Sequence, residues 1–100
     1  MIIYNVTVKI DLNVHDTWLY WMKGEHIPRV METGCFTGYK MFRILEENTQ
    51  DGISYCIQYS ANEISDYFNY TERFATALRK EAEEAFPGKF IAFRTLLKEV

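Results

Sequence analysis

An α+β sandwich in the order βαββαβ is predicted by three observations. Hydrophobic periodicity alternates between two residues and about 3.6, in the order strand, helix, strand, strand, helix, strand, and uses up the chain. Capping and breaking residues stand where the period changes: Asn13, Gly34, Asp51-Gly52, Ser60 and Pro87-Gly88. Three of the four strands are largely apolar on both faces. This order is the ferredoxin-like unit, whose helices cover one face of a four-stranded antiparallel sheet and leave the other open.

The first strand runs from Ile2 to Ile10 and places Ile2, Tyr4, Val6, Val8 and Ile10 on one face. Ile3, Asn5, Thr7 and Lys9 take the other. A helix is predicted from Val14 to Met31, with Asn13 and Asp16 as a capping pair and a buried stripe of Val14, Trp18, Trp21 or Met22, and Ile27. Gly24 and Pro28 break its regularity, so a kink or a second short turn is expected there. Gly34 stops it. Phe36 to Leu45 and Ile53 to Tyr59 alternate around the polar segment 48–52 and form a hairpin. Pairing Ile44 with Ser54 puts Cys56 opposite Phe42 and leaves Cys35 beyond the hairpin, so two reduced thiols are expected. Ser60 and Glu63 form a capping pattern for a helix from Ile64 to Phe86. Its expected buried stripe is Ile64, Phe68, Phe74 or Ala75, Leu78, Ala82 and Ala85, with Arg73, Arg79 and Lys80 outside. Phe90 to Leu97 forms the last strand.

One hundred residues, 48% apolar and 25% charged, are expected to form a single domain over residues 1–100. Eleven basic residues are scattered against fourteen acidic ones, giving a net charge of −3, which argues against a nucleic-acid partner. No apolar run reaches the roughly 18 residues of a membrane span. The chain enters a strand at Ile2, where a secretory signal would need its own charged and apolar regions, so a cytoplasmic protein is expected. No zinc spacing, phosphate loop or nucleophile elbow occurs, and no metal or cofactor is expected.

The second apolar face has a consequence for assembly. Some six apolar side chains at ~50–100 Å² each would leave a patch of several hundred Å² in water, a size monomers rarely tolerate. At about 25 cal/mol per Å² its burial favours association by several kcal/mol. A two-fold homodimer packed sheet on sheet, a dimeric α/β barrel, is the simplest closed solution.

With the start MIIYNVTVKI, the segment WLYWMKGEHIPRVMETGCF and the end FPGKFIAFRTLLKEV, the chain resembles a small uncharacterised bacterial family, a domain of unknown function. The resemblance spans essentially the whole chain, and the W-x-x-W-M…HIP…TGCF segment is its most specific part. It implies a place among the dimeric α/β barrels of ferredoxin-like topology and brings no reaction with it. That wider group includes cofactor-free monooxygenases, haem-degrading enzymes, isomerases and plain ligand-binding modules. Asn5 resembles a strand-one Asn of the haem-degrading members. Those also need a His and a Trp in the second half of the chain, where this sequence has neither, and haem degradation is disfavoured.

Candidate site residues each have a bland reading. His26, in Glu25-His26-Ile27-Pro28, is the candidate catalytic base; alternatively it bonds backbone freed by the irregular helix. His15 reads as a solvated surface residue. Trp18, Trp21 and Met22 either wall a pocket or fill the core. Arg43 and Arg94 are charges within apolar strands: an anion-binding group inside the barrel, with Tyr39, Asn5 or Thr7, or an interfacial ion pair. Tyr4, Tyr39, Tyr55 and Tyr59 supply hydroxyls for a cavity or its rim. The candidate ligand-binding set is Asn5, Tyr39, Arg43 and Trp18. The expected function is a non-enzymatic small-molecule binding or interaction protein. The alternative is a cofactor-independent monooxygenase- or isomerase-like enzyme acting on a small apolar or aromatic substrate.

Overall fold

A computed structural model describes residues 1–100. The elements are β1 (Ile2–Ile10), α1 (His15–Trp21), a π-helical turn (Met22–His26), α2 (Ile27–Glu32), β2 (Gly38–Arg43), β3 (Ile53–Ala61), α3 (Ile64–Arg73), α4 (Ala75–Ala85) and β4 (Phe90–Lys98). The four strands form one antiparallel sheet in the order β2-β3-β1-β4. This is the ferredoxin-like α+β fold. Val6 stands between Ile57 of β3 and Arg94 of β4.

The helices cover the face that carries Tyr4, Val8 and Ile10 of β1 and Tyr55, Ile57 and Tyr59 of β3. These side chains meet Trp18, Met22, Ile27 and Val30 from one side and Tyr70, Ala75 and Leu78 from the other, in one core of 18 buried residues. Ile10 and Ile57 are fully enclosed, and burying such a side chain stabilises the fold by roughly 1.5–3 kcal/mol. No helix is long and apolar enough to cross a membrane.

Local structure departs from the expected boundaries in four places. Phe36 precedes β2 and is not part of it: its ring is buried against Tyr4 (5.9 Å between centroids) and Tyr70 (4.9 Å). Asp11 accepts the Asn13 amide (2.7 Å) and starts a short 3₁₀ turn over Leu12–Val14, so Asn13 is the capped residue and not the cap. Asp66 Oδ2 accepts the amide of Glu63 (3.2 Å), which makes Glu63, and not Ser60, the residue before α3. The long second helix is broken at Phe74 (φ −127°). Before that break the helix runs in a different phase from the one expected: Tyr70 turns inward, while Ile64 and Phe68 are 46% and 50% exposed.

The expected hairpin register holds. Phe42 faces Cys56, the Ile44 amide donates to the Ser54 carbonyl (2.9 Å), and both cysteines are free thiols. Gly34 ends the first helical stretch at φ +76°, a left-handed conformation that favours glycine. Gly52 lies so close to β1 that a Cβ would stand 2.5 Å from the Ile10 carbonyl oxygen.

The open face of the sheet is not uniformly apolar. Asn5 Nδ2 donates to Thr7 Oγ1 (3.0 Å), and Thr7 Oγ1 lies 3.7 Å from Cys56 Sγ, so a polar row occupies its centre. Phe42, Ile91, Phe93 and Leu97 flank that row from the two edge strands, each between 41% and 72% exposed.

Candidate functional site

The irregular stretch between α1 and α2 builds one wall of a cavity. Pro28 has no N–H to return to the Gly24 carbonyl, and the hydrogen bonding slips one residue: the Ile27 amide bonds the Met22 carbonyl, five residues back. This π turn places both Met22 and His26 against the sheet. The cavity lies between them, the sheet and α3–α4, and has a volume of about 50 Å³, room for roughly one or two water molecules. Thirteen of its sixteen lining residues are apolar or aromatic, and the other three are His26, Arg79 and Arg94.

His26 stacks on Trp21 with ring centroids 5.0 Å apart, and its Nδ1 is buried without a partner. Burial lowers its pKa from 6.5 to about 4, with Arg29 and Arg94 acting in the same direction and Glu81 opposing them. The ring is therefore neutral at pH 7. Arg79 reaches in from α4 and donates from Nη2 to the Tyr4 hydroxyl (3.1 Å), while its Nε is buried with no acceptor. The ion pairs of the chain are His15–Asp16, Arg29–Glu81 and Lys80–Glu84, so neither Arg79 nor Arg94 has a carboxylate partner. Burial pushes the Tyr59 and Tyr70 phenols well above their usual range, and both stay protonated donors. No group of three or more His, Cys, Asp or Glu side chains is placed to hold a metal ion.

The structure brings together only part of the set expected from sequence. Trp18 and His26 line the cavity, as do Tyr4, Tyr59 and Arg94. Tyr39 and Arg43 lie on the same face of the sheet but on its edge strand, outside the lining, and Tyr39 is 46% exposed. Asn5 belongs to the opposite face, buried with Oδ1 unpartnered. His15 is not a free surface residue: Nδ1 faces Asp16 (2.8 Å) and Nε2 faces the buried Tyr55 hydroxyl (2.7 Å). A carboxylate only accepts, so Nδ1 donates to Asp16, and Nε2 shares a hydrogen bond with the Tyr55 hydroxyl. Sequence reasoning missed Arg79 and Tyr70. A charge at Arg79 within the apolar repeat around Leu78 and Ala82 was the available signal.

Comparison with known proteins places the whole chain, residues 1–100, in the family described as a domain of unknown function, DUF4286. No curated protein matches it. Among solved structures it is similar to HapK from Hahella chejuensis (TM-score 0.71, 10% identity, covering 100% of this chain and 93% of that one). It is also similar to a dimeric ferredoxin-like protein from an uncultured marine organism (TM-score 0.68, 7% identity, 100% and 95% covered). A third is the ActVA-Orf6 monooxygenase of Streptomyces coelicolor, solved with the ligand nanaomycin D (TM-score 0.60, 14% identity, 99% and 88% covered). At these identities the likeness is one of fold.

Proposed function

We propose that this chain, which belongs to the DUF4286 family, is a small-molecule-binding protein that pairs with a second copy through its open sheet face and holds its ligand beneath the helices. The observation that carries this reading is the cavity itself: an apolar, aromatic lining to which His26, Arg79 and Arg94 are the polar contributors. Pairing is supported by the aromatic and aliphatic flanks of the open face and by the dimeric state in which one structural relative is described. Native mass spectrometry of the purified protein tests both halves. A dimer with retained mass is expected, and a bare monomer overturns the reading.

A second reading is favoured by the neutral, unpartnered His26. It is the one imidazole lining the cavity and can take a proton from a bound substrate. In an isomerase the proton would return to another carbon. In a cofactor-independent monooxygenase the deprotonated substrate would itself supply the electrons that reduce dioxygen, one atom entering product and the other leaving as water. His26→Gln separates the two readings: a binding protein keeps its ligand and loses nothing else, whereas an enzyme keeps the ligand and loses turnover.

A further inference from the structure

We infer that the second copy lies on the open sheet face with the two-fold axis running along the strands, so that Phe42 of each chain packs on Phe93 of the other. This rests on the pairing proposed above and fixes its geometry.

The cross-strand register arranges the open face in rows. One row runs Phe42, Cys56, Thr7, Phe93 from β2 to β4, and the next runs Lys40, Gln58, Asn5, Thr95. In the first row the outer side chains are large and the inner ones small. Phe42 and Phe93 are 47% and 61% exposed, whereas Thr7 and Cys56 are half-buried and Asn5 and Ser54 are buried. The face is thus a shallow trough, with uncharged hydrogen-bonding groups along its floor and an aromatic wall on each edge strand. A two-fold contact requires that residue i meets j and j meets i. Matching walls at equal distance from the middle of one row meet that requirement, which is why the occupant is a second copy of this chain.

The size of the face agrees. Strands of nine residues at about 3.3 Å each, and four strands about 4.8 Å apart, give a face of roughly 30 by 15 Å. Two such faces bury on the order of 1,000 Å² together, where stable interfaces begin.

Two kinds of axis lay one trough on the other. An axis along the strands reverses the order across the sheet, and every row meets its own copy end to end. Phe42 then meets Phe93, Cys56 meets Thr7, and Gln58 meets Asn5. Rings pack on rings, a contact that contributes beyond its buried area, and the neutral polar floors face each other. The rotation of about 30° between packed sheets leaves the central rows together. An axis across the strands keeps each strand over its own copy. Centred on the face, it exchanges the two rows and sets Phe42 against Lys40 and Phe93 against Thr95. Shifted to bring Phe93 onto Phe93, it leaves Ile3 and Leu97 outside the contact. Only the axis along the strands pairs the rings and keeps every row covered.

The test places single cysteines at the two walls. Phe42→Cys and Phe93→Cys are each made in a Cys56→Ser parent, produced separately and by co-expression, and treated with a short bis-maleimide. Both positions are exposed, so the core is untouched, and the remaining Cys35 is buried; the parent alone serves as its control. A cross-linked pair of chains is expected from the co-expressed sample and absent from either variant alone. Cross-linking of Phe93→Cys with itself, to the same extent as in the co-expressed sample, overturns the alignment and leaves the pairing intact. So does a parent that is dimeric by native mass spectrometry yet gives no cross-link in any sample. A monomeric wild type overturns both.

Discussion

Enclosure against Trp21 keeps the His26 imidazole neutral until about pH 4, while the same ring in the unfolded chain takes its proton near 6.5. The unfolded state thus binds more protons between those values, and stability must fall as pH drops through that window and level off beyond either end. The groups that set the window come from three elements: Arg29 on α2, Glu81 on α4 and Arg94 on β4. The largest loss that such a shift allows is about 3 kcal/mol. Urea denaturation from pH 7 to 4 should show, above the carboxylate titration common to both, a slope in the wild type that is absent from His26→Gln and is therefore the whole of their difference. The position of His26 in an irregular stretch was legible from Gly24 and Pro28. Its burial was not, because that depends on Trp21, Phe86 and the sheet meeting around it. His15 makes the same point, since its partner Tyr55 lies forty residues away.

Among elements, the strands were the most legible, because a period of two survives in a flat sheet and Ile2–Ile10 needed no correction. The second helix was the least. Carrying one 3.6-residue phase from Ile64 to Phe86 holds for Ala75 and Leu78 beyond the break at Phe74 and fails before it, where Tyr70 and not Phe68 is buried. Nothing in the local sequence around Phe74, neither Gly nor Pro, announces such a break. The start of α3 offers a direct check on how these elements are held. Asp66→Ala removes the acceptor for the Glu63 amide, and a loss of about 0.5–1.5 kcal/mol is expected in chemical denaturation.

For the whole molecule, the two faces of the sheet divide the work. The covered face holds the core and the cavity, and the open face, with its polar centre and apolar flanks, carries no helix. Phe93 is the most informative position there, an aromatic ring 61% exposed opposite Thr7. On the proposed pairing, Phe93→Glu should convert the dimer to a species with the 11.9 kDa mass of one chain, because a charge buried in the apolar flank of that contact cannot be solvated. Helical content should be unchanged by circular dichroism. That an unhelixed face exists was legible from the order of the elements. Which side chains occupy it was not, since moving a strand by one residue exchanges the faces, and only the register assigns Asn5 to one and Arg94 to the other.

The π turn between Met22 and His26 is, in chain length, an α-helix with one residue too many. Removing one residue there would turn everything before it by about 100° relative to α2, so that Trp18 and His26 could no longer share a wall. Spacing in an alignment therefore becomes a chemical marker. Family members that keep four residues between Trp21 and His26 are expected to keep this cavity wall, whereas a one-residue gap would part Trp18 from His26 and leave the sheet unchanged.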